Sequence, residues 1–144
     1  MKKLMIRVEG KPAPVGSYMP RQRKDGRLFL LRANAQAAEQ WRRAVVTAAK
    51  QAMRDAAWPA QTDDANYTVS LSFLLPKPKT VKREQPTVKP DIDKLCRSTL
   101  DALTVSGAIS DDARVTQLIA CKTYAMAGEQ PGAHIIILDT KEED

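Results

Sequence analysis

The sequence predicts an α/β fold, a small single domain in which a mixed β-sheet packs with two main helices, and three observations carry that prediction. Two stretches repeat apolar residues at three- and four-residue spacing, the period of an amphipathic helix. Several shorter stretches alternate, or run apolar, over strand lengths. The strands are interrupted twice by helices yet end with two in succession, which calls for a mixed sheet. A chain of 144 residues holds one core and is too short for two ordinary domains. Residues 1–140 are therefore assigned to one domain and 141–144 to a loose acidic tail.

Along the chain, residues 3–9 form a first strand, and 10–20 is a loop punctuated by glycine and proline. Residues 27–32 are a short strand after the turn Lys24-Asp25-Gly26. The clearest helix covers 35–57, where Trp41, Ala44, Val45, Ala48, Ala49, Ala52, Met53 and Ala56 make an unbroken stripe. Arg43, Lys50 and Arg54 lie on its outer side. A half-buried strand follows at 67–75, with Tyr67, Val69, Leu71 and Phe73 alternating against Thr68, Ser70 and Ser72. The second helix runs over 92–105 on Ile92, Leu95, Cys96, Thr99, Ala102 and Leu103, entered after Pro90 and stopped by Gly107. Ser110 is expected to cap a short turn at Asp111-Asp112, before strands at 115–125 and 133–138.

Charge divides the chain unevenly. Residues 1–60 hold 13 Lys+Arg against 4 Asp+Glu and residues 61–90 hold 5 against 3, whereas residues 91–144 hold 5 against 10, within a net charge of +6. A basic body with a local acidic cluster fits a protein that attracts a nucleic-acid backbone and sets metal against one phosphate. No apolar run approaches the roughly 20 residues of a membrane span, and the stretch after Met1-Lys2-Lys3 contains Arg7 and Glu9, so neither a membrane anchor nor a signal peptide is expected. A cytoplasmic location follows from that expectation. Cys96 and Cys121 lack zinc-ligand spacing and are expected as buried, reduced thiols. A single histidine, His134, excludes multi-histidine metal sites and is assigned to the structure of the last strand.

The chemistry concentrates in Pro90-Asp91-Ile92-Asp93-Lys94 and in Asp111-Asp112. Hard cations such as Mg²⁺ take oxygen ligands and few protein groups at once, so two or three aspartates plus phosphate oxygens complete a site. Residues i and i+2 of a helix point about 200° apart, so Asp91 and Asp93 can act together only if Asp91 lies just before the helix. Asp93, Arg97 and Asp101 then fall four residues apart on a polar face. Each acid alone has an ordinary reading, Asp91 as an N-cap, Asp93 as a first-turn acid, Asp111 and Asp112 as the acidic start of a turn. Caps, however, require no basic loop upstream, and Lys77, Lys79, Lys82, Arg83 and Lys89 fill the proline-rich segment 76–90.

These residues resemble the RusA-type Holliday junction resolvases, a family common in prophages. The resemblance runs through Gly10-Lys11-Pro12-Ala13-Pro14-Val15-Gly16-Ser17, the Trp41 helix, the segment from Pro90 to Leu103, and Ile109-Ser110-Asp111-Asp112-Ala113-Arg114-Val115. It implies a small α/β homodimer that cuts four-way DNA junctions symmetrically with Mg²⁺ or Mn²⁺ in recombination and repair. Its metal-site aspartates match Asp91, Asp93 and Asp112, and the match implies that the basic loop, Lys77, Lys79, Lys82, Arg83 and Lys89, lies on DNA; Lys94 is a further candidate DNA contact. This chain departs from the family in carrying Lys94 where an asparagine is usual and Arg97 where a lysine is usual. Arginine clamps phosphate through two donors but, with a pKa above about 12, exchanges no proton.

The expected mechanism is metal-assisted phosphodiester hydrolysis. Asp91, Asp93 and Asp112 hold one or two divalent ions, Asp111 orients a ligand from behind, and Arg97 neutralises charge developing on the phosphate. Two other classes fit parts of the pattern: a non-catalytic module that binds branched DNA, and a metal-dependent nucleotide phosphohydrolase.

Overall fold

A computed structural model of the chain describes residues 1–16, 18–32 and 34–141. Ser17 of the opening motif and the tail beyond Lys141 lie outside the described residues. The elements are β1 (Lys2–Glu9), β2 (Tyr18–Gln22), β3 (Leu28–Arg32), α1 (Ala35–Asp55), β4 (Tyr67–Leu75), α2 (Ile92–Ser106), a 3-10 turn (Asp112–Arg114), β5 (Val115–Tyr124) and β6 (Gly132–Asp139). The α/β class, the mixed sheet and both helices are those expected from the sequence.

Four strands make the main sheet in the order β1-β6-β4-β5. β6 pairs antiparallel with both β1 and β4, while β4 and β5 are parallel because α2 carries the chain back between them. Alternation decides the faces. Leu4, Ile6 and Val8 of β1, Ala133, Ile135 and Ile137 of β6, and Tyr67, Val69, Leu71 and Phe73 of β4 are buried beneath the helices. Trp41, Val45 and Ala49 of α1 and Leu95, Thr99, Ala102 and Leu103 of α2 close the core from above.

The helix-facing residues also meet through polar atoms. Trp41 Nε1 donates to Thr99 Oγ1 at 3.1 Å, joining α1 to α2 inside the core. Ser98 Oγ, also buried, donates to the Ala13 carbonyl at 3.0 Å, which fastens α2 to the proline-rich opening. The Trp58 indole donates to the Ala108 carbonyl at 3.0 Å and ties the exit of α1 to the turn after α2.

Four local expectations are corrected. The stretch expected as loop to residue 20 ends in β2, which pairs with β3 as a separate two-stranded hairpin. Pro20 is tolerated there because a two-stranded ribbon consists of edges. α1 ends at Asp55, short of residue 57, because Ala57 turns into the left-handed region at φ 50°. Cys96 is buried as expected, but Cys121 is exposed. Its register partner is Ser72, so it points to the sheet face that the helices do not cover. The turn after α2 is capped by Asp111, whose Oδ1 accepts from Ala113 N at 3.1 Å, and the Ser110 N–H donates instead to Tyr67 Oη at 3.1 Å.

Gly107, by contrast, ends α2 as expected, at φ 87°. His134 stands exposed on β6, opposite Arg7 and Ser72. No helix among the described residues is long and apolar enough to cross a membrane.

Candidate metal centre and nucleic-acid interface

α2 and β5 form the two walls of one cleft. Even-numbered residues of β5 share the helix-covered face with β4, since Leu118 pairs with Val69, Ala120 with Leu71, Lys122 with Phe73 and Tyr124 with Leu75. Ile92, Asp93, Cys96, Arg97 and Leu100 of α2 stand across from Asp112, Leu118 and Ala120, around a cleft of about 550 Å³. The strand runs opposite to the helix, so Asp112 lies toward the C-terminal half of α2 and Lys122 toward its start.

Asp91 occupies the N-cap position in extended conformation, φ −69° and ψ 141°, so it precedes the helix as the spacing requires. Its carboxylate makes no capping bond and pairs instead with Lys94 Nζ at 3.4 Å. Asp93 is exposed one step inside the helix. Burial, and then the charge of Asp93, push the Cys96 thiol above its ordinary value. Arg97 follows one turn on, exposed between the two ends of the cleft.

At the second acidic group, Asp112 has a neighbour that sequence spacing did not pair with it. Thr104 Oγ1 donates to Asp112 Oδ1, and the carboxyl of Asp101 lies close enough to that of Asp112 for the two to interact. Burial first, then the Asp112 carboxyl, push Asp101 above the usual carboxylate range, while Arg97 acts in the opposite direction. Sequence reasoning put Asp101 on the polar face of α2; its contact with Asp112 is tertiary, and the only signal was the four-residue row Asp93, Arg97, Asp101.

The expected acids thus fall into two stations. Thr104, which holds Asp112, follows Asp93 by eleven positions, about 16 Å of helix. Among the described residues no three His, Cys, Asp or Glu side chains form a cluster able to hold a metal. Each station offers one or two carboxylates. That donor set suits Mg²⁺, which is bound through one or two carboxylates, keeps several waters and draws its remaining oxygens from substrate phosphate. Asp111, expected to orient a ligand, has its Oδ1 on Ala113 N.

The basic residues flank the Asp91 end. Lys77, Lys79, Lys82, Arg83 and Lys89 are all exposed along the irregular segment between β4 and α2. Arg83 Nε donates to Tyr124 Oη at 2.9 Å, and both Arg83 and Lys77 lie over the Tyr124 ring, at 5.9 and 5.7 Å from its centroid. A second cleft of about 430 Å³ lies on the other side of Asp91, where Lys11, Lys89 and Lys94 surround an apolar lining that includes Pro12, Val15 and Met19.

This arrangement places acids, an arginine and a basic loop around one helix of a mixed-sheet domain. No curated protein matches the sequence. The family model for endodeoxyribonuclease RusA matches residues 12–137, which take in the helix, both acidic stations and the basic loop, and the chain belongs to that family.

Proposed function

We propose that this protein is a Mg²⁺-dependent, structure-selective endonuclease that resolves four-way DNA junctions by paired, symmetric phosphodiester hydrolysis in recombination and repair. The observation that carries the proposal is the row Asp93, Arg97 and Asp101 on α2 facing Asp112, in a chain of the RusA endodeoxyribonuclease family. Asp91, Asp93 and Asp112 are the proposed metal-holding residues, with Asp101 beside Asp112 and Asp111 fixing the turn that presents it. Mg²⁺, or Mn²⁺ in its place, supplies Lewis acidity toward the phosphodiester and makes water a competent nucleophile near neutral pH.

The rest of the work falls to the chain's own groups. In this reading Arg97 donates two hydrogen bonds to the scissile phosphate and offsets charge that grows as the phosphorus becomes five-coordinate. It exchanges no proton, so proton movement passes through water or the carboxylates. Lys77, Lys79, Lys82, Lys89 and Lys94 neutralise backbone phosphates, and releasing their counterions supplies a sequence-independent part of binding. Two cuts related by two-fold symmetry call for two such sites, and a C2 homodimer provides them. The setting is cytoplasmic.

The test is a synthetic four-way junction incubated with purified protein, beside linear duplex and free nucleotides, with and without Mg²⁺. Paired cuts in the junction alone, dependent on Mg²⁺, are expected, with light scattering giving about twice the 15.9 kDa chain mass. Binding without cutting would leave a DNA-binding module. Hydrolysis of free nucleotides in preference to DNA would make the protein a phosphohydrolase.

A further inference from the structure

Lys122 is out of place by pattern. It continues the helix-facing row Leu118, Ala120 on β5, where the first two side chains line the cleft, and a charge in such a row needs acceptors of its own. Its ammonium finds two. Lys122 Nζ donates to the Val88 carbonyl at 2.7 Å and to the Pro90 carbonyl at 2.8 Å. Both acceptors belong to the end of the basic loop, and the second belongs to the peptide group that Pro90 shares with Asp91.

We propose that Lys122 is a positioning residue that sets the direction in which Asp91 is presented at the start of α2. A peptide group is planar, so holding the Pro90 oxygen fixes the plane that contains the Asp91 nitrogen. With that plane fixed, the Asp91 Cα–Cβ bond has one remaining backbone rotation to define it. The carboxylate itself makes no capping bond, and its partner Lys94 lies within its own helix, so that pair moves with the helix. Lys122, in contrast, refers Asp91 to the opposite wall. The neighbouring Tyr124 repeats the arrangement one step along the row, where its hydroxyl accepts from Arg83 of the same loop. The ammonium has three donors and two are placed on carbonyls, so its work here is directional bonding, for which another cation with several donors can substitute.

The role rests on the nuclease reading, and the experiment separates the two. Lys122→Met keeps the stem and removes the donors; Lys122→Arg restores donors; Thr123→Val, on the uncovered face of the same strand, is the control. Mn²⁺ affinity of the full-length protein without DNA is read by the electron paramagnetic resonance of free Mn²⁺, together with the Mg²⁺ concentration for half-maximal junction cutting and the melting temperature. Lys122→Met is expected to weaken Mn²⁺ binding and to raise the Mg²⁺ requirement by about tenfold each, the scale of losing a residue that orients a metal ligand. Lys122→Arg should recover both to within about threefold, junction binding in Ca²⁺ should stay unchanged, and Thr123→Val should match wild type. Wild-type Mn²⁺ affinity and Mg²⁺ requirement in Lys122→Met would overturn the role. So would a loss that Lys122→Arg does not rescue and that tracks the melting temperature. A wild-type protein that binds no Mn²⁺ and cuts no junction would overturn the nuclease reading, and the positioning role with it.

Discussion

The two ends of α2 hold their carboxylates in opposite ways. At the start, Asp91 and Asp93 are exposed, Lys94 pairs with Asp91, Lys89 stands close by, and the positive end of the helix dipole favours negative charge. Farther along, Asp101 and Asp112 touch each other, with Thr104 on Asp112 and no dipole in their favour. The first pair is balanced by protein charge; the second is acid against acid. The difference teaches that neighbouring lysines already offset the negative charge at the start of α2, whereas the carboxyls near Asp112 have a second acid beside them and stand to gain most from a cation. Arg97 stands between them and lines the same cleft as Asp93 and Asp112.

The sharpest way to break that comparison is to remove one carboxylate charge at a time. Asp91→Asn, Asp93→Asn and Asp112→Asn are each expected to slow junction cutting about a thousandfold, the effect of losing about 4 kcal/mol from the transition state. Binding should hold or strengthen, since less negative charge faces the phosphates. Gel-based cleavage beside fluorescence anisotropy separates the two. Full activity in the variants of either end would show that only the other end is chemical.

Arg97 tests the link between the stations. Arg97→Ala should lose about a hundredfold in cutting, the scale of one preorganised donor, and Arg97→Lys should keep most of it. Thermal unfolding should shift by no more than about 2 °C, because the side chain is exposed. A fully active Arg97→Ala would disconnect the two ends.

The basic loop sharpens the contrast from the DNA side. Neutralising Lys79 or Lys82 should lower the slope of log affinity against log salt by about 0.9 for each phosphate that the loop no longer neutralises. Arg83→Ala should lower it too, and should also raise loop mobility, because Arg83 holds Tyr124. Equal slopes in all variants would make the loop a solvated linker.

The smallest effect concerns Asp101 and runs with pH. Its carboxyl titrates above the ordinary value of 3.8 in the fold, because of burial and then Asp112. A raised acid contributes stability fully below the ordinary value and loses it as pH rises through the raised one. In metal-free buffer, Asp101→Asn should therefore melt above wild type at pH 7, with the gain vanishing near pH 3. Saturating Mg²⁺ should shrink the gain at pH 7. A gain indifferent to pH would mean that the two carboxyls do not oppose each other.

What the sequence made legible was local. α2 could be placed, with Asp91 just outside it and Gly107 at its end, because period, proline and glycine act within a few residues. Asp111 took the capping role expected of Ser110 because either side chain can cap, and the Tyr67 hydroxyl, from a distant strand, engages Ser110. β2 was hidden for a similar reason: Pro20 breaks the strand pattern, and pairing with β3 creates the strand. Cys121 went to the open face because β5 is an edge whose register β4 sets. The Asp101–Asp112 contact and the Lys122 bonds join residues with no period in common, so they had no signature to read.

Two buried contacts bear on how the acids are aimed. Trp41 and Ala13 hold adjacent residues of α2 from behind, at Thr99 and Ser98, and successive residues point about 100° apart around a helix. Two such grips on neighbouring spokes leave the cylinder no free roll about its axis. A slip of one residue would rotate Asp93, Arg97 and Asp101 by that same angle, away from Asp112. The azimuth of the acidic face is therefore set on the dry side of the helix, by a tryptophan and two hydroxyls buried in the core.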